Sequence, residues 1–214
     1  MTLPKPTLLL ALLSGVIASC ASGPPTANPE QTQKITAIFV NPHPAGSYGH
    51  FKADPSYPKT YKIYKNEAVL KSGGSPRITI DLGLQRAMLY KGDELAMDYP
   101  VSTGKSAYPT PPGNYTVLEK LKSGKASNLY GTSYDAEGNV HNSNADSGDP
   151  VPEGGYFKGA SMPYWMRLTW SGVGMHRGNV PRYPASHGCI RTYSAAVATV
   201  YSNVSIGTPV SIVK

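Results

Sequence analysis

Cys189, in the run Ser186-His187-Gly188-Cys189-Ile190-Arg191, has two histidines close by in sequence: His187 two positions before it and His176 thirteen before it. Acyl transfer through a thiol needs a thiolate, a base that makes it, and N–H donors for the oxyanion of the tetrahedral intermediate. Residues 177–185 hold Gly178, Pro181 and Pro184, so the chain must turn back there. That turn can bring the His176 imidazole against the sulfur. Gly188 permits a sharp turn that exposes the thiol and presents consecutive backbone N–H groups. One His and one Cys alone are compatible with coincidence; the glycine favours the chemical reading.

The compartment bears on the thiol. Lys5 and the ten-residue, largely apolar run 8–17 read as an export signal, too short for a membrane-spanning helix of ~20 residues. The run ends in Ile17-Ala18-Ser19-Cys20, which resembles a bacterial lipobox. That resemblance implies removal of residues 1–19, lipidation of Cys20, and an anchor on the periplasmic side of an envelope membrane. Ala21 in place of aspartate favours the outer membrane. An ordinary secretory signal cut near Ala18 or Ala21 is the alternative. With Cys20 lipidated, Cys189 has no disulfide partner in an oxidising compartment, which marks it as reactive. The charge of +7 falls to +6 without Lys5. Outside the cytoplasm such an excess suits an anionic wall or membrane face, and no nucleic acid is expected.

The elements that must position these residues are short. Gly and Pro are abundant (22 and 20) and charged residues scarce at 15%, which favours strands and turns over long helices. Residues 20–34 read as a tether and 35–74 as an N-terminal extension of uncertain structure. The catalytic domain is expected over 75–214. Residues 77–82 alternate at period two, and 86–91 and 94–101 are strands joined by a Gly92-Asp93 hairpin turn of type II′. Residues 114–120, 164–170, 173–176 and 209–213 complete seven strands. One helix is expected over 195–204, with Ser194 as its N-cap. The fold class is mainly β, a single sandwich or partial barrel with one or two short helices. Residues 123–159, rich in Gly, Asn, Ser and Asp, read as a long loop and a candidate lid.

Met175-His176-Arg177-Gly178 followed by Tyr183-Pro184-Ala185-Ser186-His187-Gly188-Cys189-Ile190-Arg191 resembles the signature of the L,D-transpeptidase catalytic domain family. Ile80-Asp81-Leu82 with Gln85-Arg86, the run Tyr99 to Lys105, Pro109-Thr110-Pro111 and Met162 to Leu168 extend the resemblance from about 77 to 213. It implies that Cys189 is the nucleophile, His176 the base, and the main-chain carbonyl of Arg177 the group that orients His176. It further implies an oxyanion hole from the N–H groups of His187, Gly188 and Cys189. Arg191 and Ser186 are candidate substrate contacts, Arg191 either supporting the loop or meeting a carboxylate, and His187 a donor that fixes the turn. Only nine residues separate His176 from Ser186, fewer than the family's usual insert.

The implied reaction cuts a peptidoglycan stem tetrapeptide after its third residue, releases D-alanine through a thioester, and transfers the acyl group to an amine as a 3→3 cross-link. Water or a protein lysine is the alternative acceptor, and a non-catalytic wall-binding lipoprotein is the alternative class. Carbapenems are expected to acylate the thiol. No cofactor or metal is implied: the five histidines show no metal-binding spacing. The chain is expected to act as a monomer. Gly104-Lys105-Ser106 lacks the first glycine of a phosphate loop, and Ser102-Thr103-Gly104-Lys105 lacks the companion motifs of the serine acyl-enzymes.

Overall fold

The computed structural model describes residues 39–214. The expected signal, lipidation site Cys20 and tether lie outside the described residues, as does the start of the extension. Residues 41–214 form one compact unit.

In chain order the elements are α1 (Tyr48–Lys52), β1 (Tyr64–Lys65), α2 (Glu67–Leu70), β2 (Pro76–Asp81), β3 (Arg86–Lys91), β4 (Glu94–Ser102), β5 (Gly113–Thr116), β6 (Glu119–Leu121), β7 (Ala126–Tyr134), β8 (Val140–Asp146), β9 (Tyr156–Ser161), β10 (Trp165–Arg167), β11 (Gly174–Arg177), β12 (Ile190–Thr192), α3 (Ser194–Asn203) and β13 (Pro209–Val213). The protein is mainly β. One large sheet has the order β5-β13-β2-β3-β4-β12-β11-β10-β6, with β1 added to β4, and a three-stranded sheet has the order β8-β7-β9.

The period-two pattern of β2 is realised in its pairing, where buried Ile78 and Ile80 stand opposite Leu89 and Ala87 of β3. The β3–β4 hairpin closes at Lys91 and Glu94, with Gly92 at φ +58°, as the first position of a type II′ turn requires. Residues 96–102 of β4 are buried throughout because the strand lies centrally in the sheet.

Four expectations change. The stretch 123–159 is not a loop but most of an antiparallel sheet, β7, β8 and β9. Its strands expose polar side chains on much of both faces, so they carry no hydrophobic alternation to reveal them. Residues 114–120 form two strands, because Val117 leaves the ladder to exchange backbone hydrogen bonds with Gly207 and Thr208. Of residues 164–170 only Trp165–Arg167 is strand; Tyr164 sits at φ +59° and Trp170 in a turn. The N-cap of α3 is Tyr193, whose side chain makes no capping bond, and Ser194 is already helical. Burial of Ala196, Val197 and Val200 holds this helix instead.

The extension packs on the sheet through buried polar groups. Arg86 and Asp98 are inaccessible and paired, Nε to Oδ1 at 2.5 Å. The Arg86 guanidinium also donates to the carbonyls of Pro58, Thr60 and Lys62, while Tyr48 and Tyr57 donate to Asp98 Oδ2. Every hydrogen bond in that list beyond the ion pair joins the sheet to residues 48–62.

Candidate active site

The site is built on the parallel pair β11 and β12, whose register sets Met175 against Ile190 and His176 against Arg191. Side chains alternate along each strand, so Gly174 and His176 of β11 share a face with Cys189 and Arg191. Met175, Ile190 and Thr192 point to the buried face. Parallel strands need a crossover; residues 178–189 supply it and deliver Cys189 beside Gly174. A side chain at Gly174 would meet the Trp165 ring at 2.5 Å, so glycine there is dictated by close packing beside the thiol.

His176 is 7% exposed, and its Nδ1 stands 2.8 Å from the carbonyl oxygen of Arg177. Nδ1–H donating to that oxygen leaves Nε2 as the acceptor of the neutral ring. Burial lowers the His176 pKa to about 4, the Arg177 carbonyl opposes the shift, and Arg191 adds to it. Burial raises that of Cys189, against the pull of the Gly174 N–H, Arg191 and Lys125. Both shifts favour uncharged partners at neutral pH: a thiol and an imidazole. The sulfur also lies 3.6 Å from the carbonyl oxygen of Gly172.

The turn before the sulfur is held from three sides. Ser186 Oγ donates to the carbonyl of Cys189 at 2.5 Å, which commits that hydroxyl to the turn. Thr110 Oγ1 accepts from the Gly104 N–H and donates to the Gly188 carbonyl, both at 2.8 Å. Gly188 adopts φ +101° with no atom closer than 3.9 Å to a built Cβ, so backbone conformation alone requires the glycine. The N–H groups of His187 and Gly188 donate to no partner among the described residues.

His187 lies between the rings of Tyr108 and Tyr130, at centroid distances of 4.6 and 4.9 Å. Its Nε2 is 2.5 Å from Asp146 Oδ1, out of hydrogen-bonding alignment. Burial lowers its pKa and Asp146 opposes the shift. Through Tyr130 of β7 and Asp146 of β8, His187 fastens the three-stranded sheet to the turn before Cys189. Arg191 packs its stem against Gly178 and its guanidinium lies 5.7 Å from the Tyr130 ring centroid; it has no carboxylate partner among the described residues. The Arg177 side chain is exposed, and only its carbonyl faces His176.

A cavity of about 350 Å³ opens over this face, with Cys189, His176, Arg191, Trp165, Lys125 and Tyr130 in its wall. A second, of about 490 Å³, adjoins it across Arg177, Gly178 and Asn179 and has Tyr61 of the extension in its wall. Arg182, at φ +67° in the crossover, donates to the carbonyls of Lys59, Pro58 and Gln85, so the extension also holds the site loop.

Sequence reading named Cys189, His176, Arg177, Ser186, His187, Gly188 and Arg191, and all seven meet at this turn and strand pair. It did not assign roles to Thr110, Asp146, Gly174 or Arg182. Thr110 lies within the Pro109-Thr110-Pro111 run, which was a signal without a mechanism. Asp146 is one of several acidic residues in a polar stretch, and nothing in its spacing sets it apart.

Comparison with known proteins agrees with the fold. Residues 75–212 match the YkuD family, the L,D-transpeptidase catalytic domain. The L,D-transpeptidase YkuD of Bacillus licheniformis is 28% identical over 139 residues, 64% of this chain and 64% of that protein. An L,D-transpeptidase from Mycobacterium smegmatis superposes with a TM-score of 0.51 at 25% identity, over 66% of this chain and 60% of the other. The enzyme LdtMt1, solved in complex with imipenem, shares the fold with a TM-score of 0.50 at 22% identity, over 66% and 60% of the two chains. The protein belongs to the L,D-transpeptidase catalytic domain family. The match spans a little under two thirds of these relatives' own lengths.

Proposed function

We propose that this protein is a cysteine L,D-transpeptidase that acts on peptidoglycan stem tetrapeptides. The observation that carries the reading is one face of a parallel strand pair, where Cys189 and a His176 oriented by the Arg177 carbonyl line one cavity. The substrate carbonyl binds there with its oxygen toward the N–H groups of His187 and Gly188. The Cys189 proton passes to Nε2 of His176 as the S–C bond forms. Collapse of the tetrahedral intermediate breaks the C–N bond, and His176 returns the proton to the departing D-alanine amine. The thioester is then attacked by a side-chain amine of a second stem, His176 takes that amine's proton, and the sulfur leaves as thiolate to be reprotonated. Arg191 is available to a substrate carboxylate. In this reading the chain works as a monomer without cofactor, held at the periplasmic side of the outer membrane by lipid on Cys20.

The test is mass spectrometry of the purified protein with a carbapenem, alongside D-alanine release from a stem tetrapeptide. A stable adduct on Cys189, absent in Cys189→Ala, together with D-alanine release, is the expected result. Neither adduct nor release would overturn the reading. A product list from purified tetrapeptide muropeptide separates transfer to an amine, expected here, from hydrolysis by water.

A further inference from the structure

Trp170 is 77% exposed, the largest apolar side chain so presented among the described residues near the cavity. Its turn is not loose. Leu168 and Thr169 N–H both donate to the Val173 carbonyl, Gly172 N–H donates to the Thr169 carbonyl, Val173 N–H donates to Thr169 Oγ1, and Thr169 Oγ1 meets Ser171 Oγ at 2.9 Å. An exposed indole gives up apolar burial, and the ordered turn beneath it lowers the backbone cost of binding there.

Its place is fixed by the sheet register. Arg167 of β10 stands opposite Gly174 of β11 and Glu119 of β6, and Gly174 lies beside Cys189. Arg167 therefore shares the cavity face, two strands away from the thiol, or about 10 Å at a strand spacing of ~4.8 Å. The Arg167 guanidinium is 5.5 Å from the ring centroid of Trp165, in the cavity wall, and 5.1 Å from that of Trp170. Glu119 pins it with a 2.5 Å ion pair. Ser171 and Gly172, which follow Trp170, line the cavity, and the Gly172 carbonyl faces the sulfur. Cavity wall, guanidinium and exposed indole thus form one shelf leading away from Cys189.

We propose that Trp170, with Arg167 behind it, is a stacking platform for the amino-sugar ring that carries the stem peptide, so that the enzyme reads glycan as well as peptide. The inference rests on the transpeptidase reading above. If the third stem residue is acylated on Cys189, that residue and the two before it connect the thioester to the sugar, and three extended residues span roughly 10–11 Å. That length spans the two-strand separation between Cys189 and Arg167, beside which the indole stands. The apolar face of a pyranose suits an indole, while the planar guanidinium and the Glu119 carboxylate offer donors and an acceptor to hydroxyl and acetamido groups.

The experiment compares D-alanine release from free tetrapeptide and from disaccharide-tetrapeptide, using wild-type, Trp170→Ala and Trp170→Phe proteins. It is paired with the indole N–H signal of Trp170 in the ¹⁵N-labelled protein, assigned by its loss in Trp170→Phe. Trp170→Ala is expected to lower kcat/KM for the disaccharide substrate about 3- to 10-fold, leave free tetrapeptide unchanged within twofold, and be partly rescued by phenylalanine. The indole signal is expected to shift with the stem-free disaccharide and not with the free peptide. Equal effects on both substrates, no shift with the disaccharide, or a shift with phospholipid vesicles in place of sugar would each overturn the platform. Absence of D-alanine release from either substrate would instead count against the transpeptidase reading, and the indole signal would still decide the sugar site.

Discussion

Acidification should cost this protein stability through His176, by an amount the structure sets. The ordinary imidazole midpoint of 6.5 falls to about 4 because the ring is buried in the cavity wall. Well above 6.5 the folded and unfolded chains are both neutral at this residue, and it contributes no slope. Between 6.5 and about 4 the unfolded chain takes up a proton that the folded chain refuses, so stability falls as pH falls. Below about 4 both states are protonated and the loss is complete. At ~1.4 kcal/mol per tenfold change in proton affinity, the loss is about 3 kcal/mol. Urea unfolding of wild type and His176→Gln, measured from neutral pH down to about 4, isolates the effect as the difference between the two curves. That difference should change by about 3 kcal/mol, with wild type losing more. A constant difference across the window would refute the buried, neutral imidazole. The same depressed value places the acid limb of kcat/KM near pH 4, since the base is lost only when His176 is protonated.

Three further outcomes follow from the supports of the site. Gly188→Ala has room for its methyl group but not the backbone conformation, so it should cost about 1–2 kcal/mol by thermal unfolding and slow D-alanine release, whereas a steric account predicts no loss. Thr110→Val leaves the Gly104 N–H and Gly188 carbonyl without their partner, and should cost about 1–3 kcal/mol in urea with reduced turnover; unchanged stability and rate would remove Thr110 from the support of the turn. Asp98→Leu strands the buried Arg86 charge and should cost about 3–5 kcal/mol, while Arg86→Met/Asp98→Leu together should cost less than Asp98→Leu alone. A double variant as unstable as the sum of its parts would show that the pair is not coupled.

Legibility in the sequence followed the kind of force involved. β2, β3 and β4 were readable because one buried face imposes period two or a continuous apolar run, and Gly92 was readable because a tight turn needs its positive φ. The turn before Cys189 was marked by residue type, a thiol beside a glycine and two histidines, and the roles expected within it came from the family resemblance. The sheet of β7, β8 and β9 was not, since strands that bury little on either face leave no period behind. α3 shows a different limit. Ser194 looks like a capping residue, yet the side chain of the true N-cap, Tyr193, does no capping, and tertiary burial of Ala196 and Val200 decides where the helix sits. Asp146 and Arg182 act across 41 and at least 97 residues of chain respectively, on His187 and on the carbonyls of Lys59, Pro58 and Gln85, and no local pattern encodes contacts at that range.

The Arg86 clasp has a consequence for how the family unit can be handled. The family match begins at residue 75, but most of the carbonyls that receive the Arg86 and Arg182 guanidiniums belong to residues 58–62. A chain cut at the family boundary would leave the Arg86 guanidinium with Asp98 alone and the Arg182 guanidinium with the Gln85 carbonyl alone. The segment before the boundary is thus a structural part of the fold, and any excision, fusion or domain exchange that treats it as a spacer will remove part of the frame of the candidate site.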